Sequence, residues 1–152
     1  MDKKDRGILH LLQGDAKLST SEIAERVSLS VTACWKRIQR LTDEGYIRRQ
    51  VCLLDSKMLG LGVTVFVSIK TSHHDLQWLR KFALGVRDLP EVMEFYRMSG
   101  DTDYLLKVVV PDIAGFDRVY KKLIQIAELF DVSSSFAMEE IKYTTALPLD
   151  YI

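Results

Sequence analysis

Residues 19–45 read STSEIAERVSLSVTACWKRIQRLTDEG, and this stretch decides the architecture of the first part of the chain. Ser19-x-x-Glu22 is a capping box, in which hydroxyl and carboxylate each satisfy an orphan amide at a helix start. It predicts a short helix with Ile23, Ala24 and Val27 inward. Residues 28–30 form a three-residue turn, with Leu29 placed to plug the corner. Ser30 caps a second helix, on which Cys34, Ile38 and Leu41 fall at i, i+4 and i+7 as one buried stripe. Gly45 suits the left-handed residue that ends it. Two short helices across such a turn make a helix-turn-helix. Upstream, Asp2 caps a helix carrying Ile8, Leu9 and Leu12 that ends near Gly14. Downstream, residues 46–54 read as an extended wing carrying Arg48 and Arg49.

A recognition helix needs small and polar side chains at its N-terminal end to fit the major groove. Here Ser30, Thr32 and Ala33 supply that end, followed by the basic Lys36, Arg37 and Arg40 on faces that the core stripe leaves free. Ser19 and Thr20 open the preceding helix, where hydroxyls and free amides can meet phosphate. Trp35 is read as core packing or a contact with the first helix. A three-helix module used only for protein contacts is the competing reading of the same residues.

Residues 55–62 form a linker with Gly60 and Gly62 as breakers. Beyond it, apolar and polar residues alternate over 63–71, predicting a strand. Ser72-x-x-Asp75 resembles a capping box and opens a helix with Leu76, Leu79, Ala83 and Val86 on one face. Strands follow at 91–99 and 104–110, joined by a turn at 100–103. Pro111-Asp112 starts a helix carrying Phe116, Tyr120, Leu123 and Ala127, and a last strand is expected at 132–144. The fold class is therefore α+β: a winged helix-turn-helix (1–54), the linker (55–62) and a ferredoxin-like βαββαβ domain (63–152). Helices on one face of the sheet leave the other face open, and Phe66, Tyr96 and Leu105 would put apolar area there, so a homodimer is expected.

The turn Gly100-Asp101-Thr102-Asp103-Tyr104 carries the second functional signal. Glycine permits backbone amides to converge on a small anion, and a carboxylate can hold an ammonium group. A plain tight β-turn accounts for the same residues. His73-His74 is no metal chelate, because neighbouring side chains on a helix diverge by about 100°. Cys34 reads as a small buried residue, and neither it nor Cys52 has CxxC spacing, which fits a reducing, cytoplasmic setting. No nucleophile–base arrangement, metal motif or dinucleotide fingerprint stands out. No enzyme, metal or cofactor is expected, although Asp101 and Asp103 would be the residues of any metal-dependent activity.

In 152 residues there are 21 Lys/Arg and 21 Asp/Glu, so the formal net charge is zero. The sum hides an asymmetry. Residues 1–50 hold ten basic and seven acidic residues (net +3), and the remainder eleven and fourteen (net −3). Apolar residues make up 47%, which excludes disorder, and no apolar run approaches the ~20 residues of a membrane helix. The segment 1–6 is charged and no sustained apolar stretch follows, so no signal peptide is expected.

The ordered pattern resembles the Lrp/AsnC (leucine-responsive, feast-famine) family of transcription regulators over nearly the whole chain. The resemblance is carried by Asp5, Ser21-Glu22-Ile23-Ala24, Val27-x-Leu29-Ser30 and Cys34-Trp35-Lys36-Arg37-Ile38-x-x-Leu41-x-x-x-Gly45-x-Ile47. In the second module it is carried by Gly60-Leu61-Gly62, Pro90-Glu91-Val92, Gly100-Asp101-Thr102-Asp103-Tyr104, Pro111-Asp112 and Glu139-x-Ile141-Lys142. It implies a sequence-specific DNA-binding regulator that binds double-stranded DNA and responds to a small effector, usually an amino acid. It further implies homodimers paired through the sheet, often assembled to octamers, with the effector at interfaces between dimers. By the family's pattern Gly100, Asp101, Thr102, Asp103, Tyr104, Ile113, Ser135 and Phe136 would line that site. Ser28 departs from the pattern, which often has glycine in the turn. An amino-acid-sensing module acting through protein contacts rather than DNA is the alternative.

Overall fold

The computed structural model describes residues 1–72 and 75–152, so the His73-His74 pair lies outside the described residues. The chain divides into two compact units, Met1–Leu53 with Lys142–Ile152, and Leu54–Ile141.

The first unit contains α1 (Lys3–Gly14), α2 (Thr20–Arg26) and α3 (Val31–Asp43). Each starts where a side chain can accept from an exposed amide. Asp2 and Asp5 form a capping box on α1, Ser19 and Glu22 form one on α2, and the Ser30 hydroxyl accepts from the Ala33 amide on α3. The helices close over Ile8, Ile23, Ala24, Cys34 and Leu41, all essentially inaccessible to water, with Leu29 and Ile38 packed against them. The α2–α3 corner is a Schellman turn: the Leu29 amide donates to Ala24 O (2.9 Å) and the Ser28 amide to Glu25 O (3.1 Å). Its left-handed position is filled by Ser28, at φ 52°.

Three sequence expectations change here. Residues 46–54 form no strand, so the wing is an exposed, irregular segment. Trp35 is half exposed (53%) instead of packed in the core. The C-terminal stretch Lys142–Ile152 belongs with the helices of the first unit and not with the sheet. Gln13 on α1 exchanges two hydrogen bonds with the Leu147 backbone (2.9 and 3.0 Å), and Arg6 donates to the main-chain oxygen of Ile152. A polar exchange between α1 and residue 147 leaves no periodic trace in the sequence.

The second unit runs β1 (Val63–Lys70), α4 (Leu76–Arg87), β2 (Val92–Arg97), β3 (Tyr104–Val110), α5 (Ile113–Ile126) and β4 (Asp131–Phe136). The four strands form one antiparallel sheet in the order β2-β3-β1-β4. The alternation in β1 is realised: Val65, Val67 and Ile69 are buried under α4 and α5, whereas Phe66 is 39% exposed. On α4 the buried face is Trp78, Phe82 and Val86, and Leu76 is 68% exposed. Trp78, Phe82 and Val86 recur at i, i+4 and i+8, and the helix starts at Asp75, which accepts from the Trp78 amide (2.8 Å). Gly85 lets α5 approach closely: a Cβ there would sit 2.5 Å from Ile126 Cγ2. The last strand ends at Phe136, eight residues before its expected limit of 144.

A left-handed L-residue costs about 1–2 kcal/mol, part of which glycine returns as unfolded-state entropy. Ser28→Gly should therefore stabilise the first unit by about 1 kcal/mol in urea unfolding, whereas Ser28→Val should destabilise it.

Candidate DNA interface and effector site

On α3 the N-terminal half is open to solvent. Ser30, Val31, Thr32, Trp35 and Lys36 are exposed and Ala33 is half-buried. Ser19 is exposed at the start of α2, where its hydroxyl also donates to Glu22 (2.7 Å), and Thr20 is half-buried. Arg48 and Arg49 are exposed in the irregular segment after α3. The expected DNA-contacting side chains other than Arg37 and Arg40 thus remain available to a partner.

Those two arginines are ion-paired within the unit. Arg37 Nη1 lies 2.6 Å from Asp2 Oδ2 and 2.8 Å from Asp5 Oδ1, and Arg40 Nη2 lies 2.6 Å from Asp5 Oδ2. Asp5 is 1% exposed and also accepts from the Asp2 amide (3.0 Å). A buried carboxylate must be paired, and here two guanidinium groups from α3 and the amide of Asp2, the cap residue of α1, do so. Arg37 and Arg40 therefore tie α1 to α3 through ion pairs, a structural role beside the DNA contact expected of them. Burial alone would raise the Asp5 carboxyl, but the Asp2 amide, Arg37 and Arg40 outweigh it and hold it below its ordinary value. Asp2 is lowered to about 2, by the Asp5 amide first and Arg37 second.

In the second unit the expected effector residues fall into two groups. Gly100, at φ 106°, allows the 98–103 turn to close, with the Met98 amide donating to Asp103 O (2.8 Å). The Asp103 carboxylate accepts from the Thr71 amide (2.8 Å), so it helps hold the β1 end against the turn. Asp101 is exposed and Thr102 half-buried. Tyr104 is a core residue, 6% exposed, within 5.6–5.9 Å of the Trp78, Phe82 and Phe95 rings. Asp75, Leu79, Arg97, Met98 and Asp103 border a small cavity of about 90 Å³ beside it.

Ile113, Ser135 and Phe136 lie at the opposite end of the sheet. The register pairs Ile69 with Tyr104, but Val65 with Phe136 and Phe66 with Ser135. Four strand residues separate those levels, roughly 13 Å at about 3.3 Å per residue. Ile113 begins α5, after the far end of β3, and Phe136 packs edge-on against Phe116 (5.3 Å). One chain therefore presents the two groups apart. Only the strand register reveals this, because all eight residues are local motifs in the sequence.

A three-helix unit with an exposed recognition helix and a one-sided antiparallel sheet define a two-part DNA-binding regulator. The winged helix-turn-helix DNA-binding model matches residues 1–48, and the Lrp/AsnC ligand binding domain model matches residues 64–147. The chain belongs to the Lrp/AsnC family of transcription regulators. It is 50% identical to the DNA-binding transcriptional activator DecR of Escherichia coli K12, covering 99% of both chains. It is similar to the crystal structure of an AsnC family transcriptional regulator from Agrobacterium tumefaciens (TM-score 0.97, 56% identity, 100% of this chain and 99% of that one). It is also similar to a Neisseria meningitidis transcriptional regulator solved as an L-Met complex (TM-score 0.94, 36% identity, 99% and 98% covered).

The Asp2–Asp5–Arg37–Arg40 cluster predicts acid sensitivity with a definite sign. Asp2 has a folded value of about 2 against an ordinary 3.8, so its contribution is complete above pH 4 and is lost as pH falls toward 2. Asp2→Asn, which keeps a capping side chain, should flatten that acid limb, and Asp5→Asn should lower stability by about 1–3 kcal/mol at pH 7, both read by urea unfolding at pH 7 and pH 3.

Proposed function

We propose that the chain binds operator DNA through Ser30, Thr32, Ala33 and Lys36 on α3, with Ser19, Thr20, Arg48 and Arg49 at the phosphates. An amino acid effector would bind at a site that two copies complete. The observation that carries the second part is the separation of the Gly100–Thr102 group from the Ile113, Ser135 and Phe136 group by the length of the strands. A glycine turn with the exposed Asp101 carboxylate suits the polar ends of an amino acid, and the exposed Ile113 and Phe136 suit its side chain. If the turn of one copy meets the far end of another, both halves come together. The L-Met complex of the Neisseria meningitidis relative supports an amino acid as the class of effector.

Homodimerisation is supported by the open sheet face. Phe66 and Tyr96 are 39% and 50% exposed there, and the half-buried Leu105, opposite Tyr96, and Val109, opposite Thr64, share that face. Such a face is covered most simply by a second copy of itself. Further assembly then joins sheet ends and completes effector sites, so the effector shifts the oligomer equilibrium only as far as it prefers the joined state. The proposed setting is the cytoplasm, where the DNA partner is.

Two experiments test these roles. Lys36→Ala should weaken binding to DNA fragments in a gel shift and lower the salt slope by about 1 if the contact is to phosphate. An unchanged affinity and slope would remove Lys36 from the interface. Asp101→Ala and Ser135→Trp should each abolish amino-acid binding in calorimetry, and mixing the two variants should restore part of it. No recovery in mixed oligomers would contradict a shared site.

A further inference from the structure

One feature of the recognition helix is unexplained by charge or capping. Val31 and Trp35 stand four residues apart on α3, one turn above the other, and are 50% and 53% exposed. Single exposed apolar residues are ordinary, but a tryptophan four residues after a β-branched residue puts two neighbouring apolar groups on one exposed strip of the helix. The core does not need it, since Cys34 and Leu41, on the adjoining stripe of the helix, are already fully buried. Its neighbours are the exposed Ser30, Thr32 and Lys36, so the strip is rimmed by hydroxyls and a cation. The unit that carries it holds eleven basic and eight acidic residues, which opposes the charge of a nucleic acid and not that of a typical basic partner.

In the major groove the apolar group that a protein can read is the C5-methyl of thymine. We infer that Val31 and Trp35 are the specificity-determining residues for thymine in the operator, packing the indole and the valine methyls against thymine methyl groups. The inference rests on the reading of α3 as the DNA-facing helix and deepens it. Lys36, one residue beyond Trp35, supplies attraction that is indifferent to this methyl, so affinity and thymine preference are separable on the same helix. Arg37 and Arg40 do not compete for the role, because Asp2 and Asp5 hold them against α1.

The test uses the full chain and the duplex it enriches from a random-sequence pool. Thymines of that duplex are replaced by deoxyuridine, which removes only the methyl. Wild-type affinity should fall about fourfold per contacted methyl, the cost of one lost apolar carbon. Trp35→Ala should bind the thymine duplex more weakly and bind the two duplexes nearly equally, with its salt slope unchanged. Val31→Ala should show a smaller loss of the same kind. A second reading needs no variant: DNA should shield Trp35 from acrylamide quenching, while Trp78, only 9% exposed, contributes little in either state. The inference is overturned if wild-type protein is indifferent to methyl removal, if Trp35→Ala keeps the full thymine preference, or if DNA leaves quenching unchanged, as a strip reserved for a protein partner would. Absence of any salt-dependent binding by the wild-type chain would instead remove the DNA-facing reading on which the inference stands.

Discussion

A four-stranded sheet with helices on one face is the constraint from which most of the second unit follows. The two sides of each strand are set by a period of two, so burying Val65, Val67 and Ile69 under α4 and α5 forces Phe66 and Ser68 to the other side. The same register sends the 98–103 turn to one end of the sheet and Phe136 and the start of α5 to the other. The surface is partly apolar on its face, and the residues expected to bind the effector are divided between its ends. Assembly answers both needs in the proposed account, and it turns a packing requirement into a means of regulation.

In the first unit the corresponding constraint is the buried Asp5 carboxylate. It ties the α1 cap to two arginines on α3, beside the apolar stripe of Cys34, Ile38 and Leu41 that faces inward. Charge on a recognition helix is easily credited to DNA, yet here part of it is internal. The unit still carries a net +3 when the C-terminal stretch is counted with it, since Lys142 and Asp150 cancel. With Arg37 and Arg40 engaged, the charge free for phosphate is smaller than that count suggests. Single subunits should therefore hold DNA weakly, and several recognition helices placed at once would be needed for useful affinity.

What was legible in the sequence was local. Ser19-x-x-Glu22, Ser30 and Gly45 act within one helical turn of themselves, and each is found where its chemistry places it. The strand alternation of β1 and the order of elements also carried through. What was not legible depended on partners far along the chain. Asp5 and Arg37 are 32 residues apart, and Gln13 and Leu147 are 134 apart. The buried face of α4 is the aromatic stripe Trp78, Phe82 and Val86 at i, i+4 and i+8, which the reading of Leu76, Leu79, Ala83 and Val86 as one face passes over. Trp35 was misread for a related reason: an aromatic residue beside a core stripe looks buried until the neighbouring helices are seen to leave that side open. Nothing in the composition of the effector residues announces that they stand at two ends of a sheet.

The central claim is that the effector site is shared between copies. Calorimetric titration of the wild-type chain with amino acids, repeated across a dilution series whose oligomer size is followed by sedimentation, tests it most directly. The account predicts that effector binding weakens and its stoichiometry falls as the protein dissociates to single subunits. Binding of undiminished affinity and full stoichiometry by the isolated subunit would contradict it.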